Sequence, residues 1–306
     1  MSVSSSSDSR AVFNIVEIQG TNPGPKLLIT AGVHGDEYEG IEAIRELIAL
    51  LQSHEIRGKV TLIPVVNGEA YRLRSRTASD GKDLARTCPG SPEGTITERT
   101  ADLLSSVIRQ ADYYIDLHTG GFRFKLLPLV GYMLHPDQST LEAQRRLARA
   151  FQLPLIWGTS PHLDGRSLSV ARDANIPAIY AEHGGGGGCN PQGVREYVHG
   201  CLNVMAELGL LDRPVSQAVN ATFVEDARPD SGHLQIHHPA PCAGYFRSSV
   251  ALGDRVRRGN LIGSIVDELG HPQARITAGQ TGTILLLADC PIVEQGDALA
   301  VILEDC

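Results

Sequence analysis

From Val12 to about Met205, apolar runs of strand length alternate with stretches whose apolar residues recur every three or four positions. "AVFNIVEI" and "KLLITAG" predict strands, after which Ile41, Ile44, Leu47, Ile48 and Leu51 line one face of an amphipathic helix. "KVTLIPVV" predicts a buried strand. The segment "TITERTADLLSSVIRQ" opens with Thr95 and Glu98 three apart, the spacing of a capping box. Apolar Leu103, Leu104, Val107 and Ile108 follow, so a helix is predicted. "YYIDLH" and "IPAIYAEH" are further apolar runs that end in charged residues. Such alternation predicts an α/β fold with a mixed central sheet flanked by helices.

The pattern changes near Glu225. From there to the end, short alternating runs are separated by Gly and Asp turns, and "LGDRVRRGNLIGSI" is echoed by "VEQGDALAVIL". A smaller all-β domain is therefore predicted at 225–306, with a pattern that resembles the barrel-sandwich folds of biotinyl and lipoyl carrier domains. A swinging-arm carrier needs a lysine to modify. The chain's lysines are Lys26, Lys59, Lys82 and Lys125, none within 225–306, which excludes that role for the domain. The polar start "MSVSSSSDSR" predicts a disordered tail over 1–10, leaving 11–224 for the α/β domain.

A chain of 306 residues can bury a core in each of these parts without covalent staples. Its six cysteines are scattered, with no C-x-x-C pair and no apolar leader ahead of them, which predicts reduced thiols and a cytoplasmic location. No window approaches the roughly 18 apolar residues of a membrane span. The formal net charge of -8 argues against general nucleic-acid binding, which wants a basic surface. A small molecule is the expected partner. The β domain is expected either to flank the site and restrict long substrates or to form a homo-oligomer surface.

The candidate chemistry begins at "ITAGVHGDEYEG", where an apolar strand runs into a turn carrying His34, Asp36 and Glu37 and then into a helix. His34 and Glu37 stand at i and i+3, so both side chains can converge on one point if the helix starts in this turn. Imidazole and carboxylate suit Zn²⁺, which in catalytic sites takes three protein ligands and keeps a position for water. By itself H-x-x-E is a common helix start. His118, at the end of "YYIDLH", supplies a third ligand if parallel strands deliver it to the same edge. Asp116, two residues earlier, is either a partner that orients a ligand histidine or a carboxylate at the solvent edge. Glu182 follows yet another apolar strand, ahead of five glycines, and Glu is one of the side chains able to take a proton from activated water. The glycine run lacks the context of a phosphate-binding loop.

The polar stretch Asn67 to Gly90, "NGEAYRLRSRTASDGKDLARTCPG", carries four arginines after a predicted strand, where long loops are often functional. Arginine's planar fork suits a substrate carboxylate. Arg72 and Arg74 are expected to be surface residues.

Taken together, "AGVHGDEYEG", the layout of 67–90, "DLHTGG" and "AEHGGGG" resemble the succinylglutamate desuccinylase/aspartoacylase family, relatives of the zinc carboxypeptidases, over roughly residues 10–210. The C-terminal β domain also resembles the one these deacylases carry. The resemblance implies that His34, Glu37 and His118 bind one zinc per chain and that Glu182 is the general base. It implies that Arg76 polarises the scissile carbonyl and that Arg86, with Asn67, binds substrate. Three positions depart from the pattern. Ala85 replaces an asparagine in "DLAR", Cys88 stands where phenylalanine is usual, and His183 follows the glutamate where a small or apolar residue is more common.

The expected function is a zinc-dependent amidohydrolase that removes the acyl group from an N-acylated amino acid or a similar small amide. Zinc is expected to bind water and the carbonyl oxygen while Glu182 takes the proton. A carboxypeptidase acting on short peptides would use the same metal and base, although Ala85 weakens the grip on a terminal carboxylate. An inactive small-molecule binding protein on the same scaffold would be expected to have lost one of His34, Glu37, His118 or Glu182, and all four are present.

Overall fold

A computed structural model describes residues 13–51, 56–214, 220–229, 231–232 and 238–305, together with the backbone of 2–4. The chain divides into two compact units. The first takes Met1–Thr119, Pro128–Glu182 and Cys189–Ser231. Its elements, in chain order, are β1 (Ser2–Ser4), β2 (Ile15–Gln19), β3 (Asn22–Ala31), α1 (Glu39–Leu51), β4 (Arg57–Ile63), α2 (Gly68–Leu73), α3 (Ile96–Ile108), β5 (Tyr113–His118), β6 (Phe124–Met133), α4 (Gln138–Phe151), β7 (Leu155–Thr159), α5 (Ser167–Asp173), β8 (Ala178–Gly185), α6 (Pro191–Glu207) and β9 (Thr222–Glu225). The last part of β8 and the first part of β6 belong to the second unit.

The strands form a mixed sheet in the order β1-β2-β4-β3-β5-β8-β6-β7-β9. β3 runs parallel to β4 and β5, and β5 parallel to β8, while β2 is antiparallel to β4. Alternation along β3 shows why the sheet has two apolar faces. Leu27, Ile29 and Ala31 pack with Ile41, Ile44 and Leu47 of α1, whereas Leu28 turns to the other face with Leu104, Ile108 and Tyr114. Helices α1, α4 and α6 share the first core, and α3 and α5 the second. The predicted face of α1 is buried at Ile41, Ile44, Leu47 and Leu51, and Ile48 is partly buried. Sealing Leu47 alone contributes about 2 kcal/mol of transfer free energy. The capping box of α3 is formed, with the Thr95 N–H donating to Glu98 Oε2 at 2.7 Å.

The backbone of Ser2–Ser4 pairs antiparallel with β2, within the stretch expected to be a disordered tail. The remainder of 1–10 lies outside the described residues.

The second unit takes Gly120–Leu127, His183–Gly188 and Gly232–Cys306. It holds β10 (Gly244–Ser248), β11 (Arg255–Val256), β12 (Leu261–Val266), β13 (Pro272–Thr277), β14 (Gly282–Ala288), β15 (Ile292–Val293) and β16 (Ala300–Glu304). One antiparallel sheet runs β13-β12-β10-β15, and β14 pairs with β11, β16 and residues 124–126 of β6. Phe246, Ile262, Ile265 and Ile276 meet Val256, Ile284 and Ile302 in one core. The two short segments 120–127 and 183–188 enter this unit through backbone pairing that no local pattern reveals, and they lie outside the span 225–306 drawn from the sequence. They bring Lys125 into the unit, where it pairs with Asp289 at 2.7 Å.

Candidate metal centre and catalytic cluster

Three parallel strands of the first unit end at one edge, in register: Ala31 of β3 opposite Leu117 of β5, and His118 opposite Glu182 of β8. The turn after β3 is pinned there by the backbone. Val66 N–H donates to Ala31 O at 3.0 Å, Asn67 N–H to Gly32 O at 2.8 Å, and Gly35 N–H to Ser75 O at 3.0 Å. At Gly35 the backbone of α2 comes so close that a Cβ would lie 2.0 Å from the Ala70 carbonyl carbon. No side chain fits, so glycine is required between His34 and the two residues that follow.

His34, Glu37 and His118 converge, with one donor atom from each within 4.8 Å of the others. The Glu37 carboxylate lies between the imidazoles, Oε1 2.7 Å from His34 Nδ1 and Oε2 3.1 Å from His118 Nδ1. The Thr119 N–H also donates to Oε2, at 3.1 Å. Behind each ring stands another carboxylate: Asp83 Oδ1 is 3.0 Å from His34 Nε2, and Asp116 Oδ2 is 3.1 Å from His118 Nε2. A carboxylate behind each ring favours the proton on Nε2 and leaves Nδ1, turned toward Glu37, as the candidate ligand atom. Two imidazole nitrogens and a carboxylate, each imidazole backed by a further carboxylate, fit a divalent cation such as zinc.

The electrostatics point the same way. Burial alone would raise the Glu37 carboxyl, yet the charge of His34 and hydrogen bonds from both imidazoles hold it well below the usual carboxylate range. Burial opposes the charged form of His118, and Asp116 and Glu37 outweigh it, raising the imidazole well above its ordinary value. The pocket therefore favours positive charge between these residues. Asp116 is fully buried, so the solvent-edge alternative does not apply.

Glu182 sits beside His118 in the ladder, and its Oε2 is buried with no hydrogen-bond partner among the described residues. Burial, with Glu37 adding its negative charge, raises its carboxyl to about 8 against the pull of His118 and Arg76. Arg76 reaches the same cluster, donating from Nη2 to Asp83 Oδ2 at 3.0 Å and standing 3.6 Å from Glu37 Oε1.

Arg86 follows in a single 3-10 turn over Leu84–Arg86, with Nη1 donating to Ala85 O at 2.7 Å. The Ala85 N–H donates to Asp83 Oδ1 at 2.9 Å, so the residue that lacks the asparagine amide still fixes Asp83 through its backbone. Cys88 is buried, and burial pushes its thiol up to about 12. Asn67 is also buried and caps α2, its Oδ1 accepting from the Ala70 N–H at 3.1 Å, while its Nδ2 has no partner among the described residues. Arg72 and Arg74 are exposed, as expected.

Asp83 and Arg166 were not singled out by sequence. Asp83 joins two of the predicted residues. Arg166 precedes α5, where Gly165 packs against the Arg86 backbone and its carbonyl accepts from the Cys88 N–H at 2.9 Å. Burial and then the neighbouring Arg86 charge pull the Arg166 guanidinium down to about 10. Eighty residues of chain separate the two arginines, so spacing carried no signal of their proximity. Asp83 had one, the "DLAR" motif in which it precedes the candidate arginine.

Residues 23–208 match the model of the succinylglutamate desuccinylase/aspartoacylase catalytic domain. The chain is 31% identical to N-alpha-acetyl-L-2,4-diaminobutyric acid deacetylase of Halomonas elongata, over 96% of this chain and 86% of that protein. The crystal structure of a succinylglutamate desuccinylase/aspartoacylase from Rhodobacter sphaeroides superposes with a TM-score of 0.85 at 30% identity, covering 96% of this chain and 90% of the other. The product-bound ectoine utilization protein EutE (DoeB) from Ruegeria pomeroyi gives a TM-score of 0.87 at 26% identity, covering 96% and 89%. The motif order, the shared fold and these likenesses agree: the chain belongs to the succinylglutamate desuccinylase/aspartoacylase family.

Proposed function

We propose that the chain is a zinc-dependent hydrolase that removes the acyl group from an N-acylated amino acid. The observation that carries this reading is the meeting of His34, Glu37 and His118 at one sheet edge, with Glu182 in register beside them. The likeness to a deacetylase of an N-acetylated diamino acid supports the substrate class.

His34 Nδ1, Glu37 and His118 Nδ1 would hold one zinc per chain, which when bound supplies Lewis acidity to water and to the scissile carbonyl. Glu182 accepts the proton of the attacking water at its buried carboxylate and returns it to the leaving nitrogen. Burial raises its proton affinity and a bound cation would lower it again, a balance that suits a group that must both take and give a proton. Arg76 faces the oxygen on which negative charge develops, a contribution of about 3 kcal/mol where other oxyanion donors have been removed. Arg86 and Arg166, near enough for the Arg86 charge to lower the Arg166 guanidinium, are the wall proposed to receive the carboxylate of the amino acid. The described cysteines are unbridged, in keeping with a cytoplasmic setting. Among the described residues no helix is long and apolar enough to cross a membrane.

Glu182→Ala tests the assignment. Turnover of an N-acetyl amino acid panel should be lost while zinc remains near one per chain. A variant with normal turnover overturns the role of Glu182, and wild-type protein that takes up no metal overturns the metal centre.

A further inference from the structure

Asp116 reaches three groups with two oxygens. Oδ1 accepts from Thr30 Oγ1 at 2.7 Å, and Thr30 Oγ1 lies 2.8 Å from Tyr114 Oη. Oδ2 accepts from Ser167 Oγ and also faces His118 Nε2 at 3.1 Å. Thr30, Tyr114 and Asp116 are fully buried and Ser167 nearly so, which leaves solvent little access to replace a lost donor. A carboxylate tied at one oxygen can swing about its last torsion, and one tied at both cannot. Apart from His118 itself, Ser167 is the group that holds the oxygen to which His118 presents its Nε2.

We infer that Ser167 is a positioning residue that sets the His118 imidazole through Asp116, an inference that rests on the metal-centre reading given above. Ser167 opens α5, and the residues before it are Arg166 and Gly165, the latter packed against the Arg86 backbone. One short piece of backbone therefore carries both an arginine of the carboxylate wall and the hydroxyl that steadies a metal ligand. Seating a substrate carboxylate against Arg166 bears on the same segment that holds Asp116. Ser169 provides an internal comparison. It caps α5, its Oγ accepting from the Arg166 N–H at 3.0 Å and donating to Arg166 O at 2.6 Å, so its hydroxyl is engaged with the Arg166 backbone rather than with Asp116.

The test is zinc affinity of the full chain, measured against a competing chelator, with the visible spectrum of the cobalt(II)-substituted protein as a second readout. Loss of a partner behind a metal ligand weakens binding about 10- to 100-fold, and Ser167→Ala, one step further out, should show about a 10-fold loss with altered cobalt bands. Ser167→Thr, which keeps the hydroxyl, should restore both, and Ser169→Ala should leave both as in the wild type. If Ser167→Ala is not recovered folded, Ser167→Gly is read in the same way. Wild-type affinity and an unchanged cobalt spectrum in Ser167→Ala overturn the inference. An equal loss in Ser169→Ala also overturns it, because the effect would then belong to α5 rather than to Asp116. Wild-type protein that binds no zinc overturns the metal centre and this inference with it.

Discussion

His34 Nε2 lies 3.0 Å from Asp83 Oδ1, a residue 49 positions further along the chain. The other oxygen of Asp83 takes Nη2 of Arg76, also at 3.0 Å. One carboxylate thus fixes the ring proposed as a metal ligand and the guanidinium proposed to face the oxyanion. Burial would raise its proton affinity, but His34, Arg76 and Arg86 hold it well below the usual carboxylate range.

Asp83→Ala should therefore damage two functions at once. Zinc affinity should fall about 10- to 100-fold, as when other partners behind metal ligands are removed. Turnover at saturating zinc should also fall, because Arg76 loses its anchor, so adding metal will not restore the rate. Chelator competition and steady-state rates with excess zinc separate the two effects. Full rescue by zinc would show that Asp83 serves His34 alone.

The strands and turns that build this edge were legible because each carries its own local signal. "YYIDLH" is β5 from end to end, and Ile41, Ile44, Leu47 and Leu51 form the buried face of α1. His34, Glu37, His118 and Glu182 each follow an apolar run, and a parallel sheet brings the ends of such runs together. Asp116 was legible as one of two choices, since two-residue spacing on a strand puts it on the same face as His118 but does not say whether that face is dry. The proximity of Arg166 and Arg86 was not legible, because it depends on where α5 lands on the sheet. Nor was the entry of 120–127 into the second unit, which depends on pairing with β14 more than 150 residues away.

The pH dependence of the metal-free protein follows from Glu182. Its carboxyl is raised from 4.5 to about 8 in the folded chain, mainly by burial. Between those values the folded state holds a proton that the unfolded state has released. The stability this contributes is complete below the unfolded value and is lost as pH rises through about 8. Glu37, held far below its ordinary value, has the opposite sign: its contribution is present at neutral pH and is lost in acid. Glu182→Gln should therefore be more stable than wild type at pH 8, on the order of a few kcal/mol at most, and the difference should shrink toward pH 5. Urea unfolding of both metal-free proteins at the two pH values checks the sign. Zinc should narrow the gap at pH 8, since a nearby cation favours the charged carboxylate.

Gly35→Ala should be among the most damaging single-methyl changes in the chain. The added Cβ would meet the Ala70 carbonyl carbon at 2.0 Å, and backbone of α2 cannot rotate aside as a side chain would. Either α2 or the turn carrying His34 and Glu37 must move. A loss of about 3 kcal/mol is expected from overpacking of this kind, together with weakened zinc binding. Denaturant unfolding and zinc titration measure both, and wild-type values in each would mean that the two segments separate more easily than their hydrogen bond, Gly35 N–H to Ser75 O at 3.0 Å, implies.

Arg166→Ala tests the carboxylate wall. Burial and the charge of Arg86 pull the Arg166 guanidinium down, and a substrate carboxylate beside it would offset both. A hydrogen bond to a charged group is worth about 1.5–3 kcal/mol, which corresponds to roughly a 10- to 100-fold loss in kcat/KM for a substrate that bears a carboxylate. If Arg166 binds substrate equally in the ground and transition states, the loss will appear in KM with kcat little changed. The control is the same N-acetyl amino acid with its carboxylate converted to a carboxamide. Wild type should favour the acid and the variant should lose most of that preference. An undiminished preference for the acid would leave Arg86 as the sole carboxylate grip and would assign the Arg166 charge to the structure of the loop.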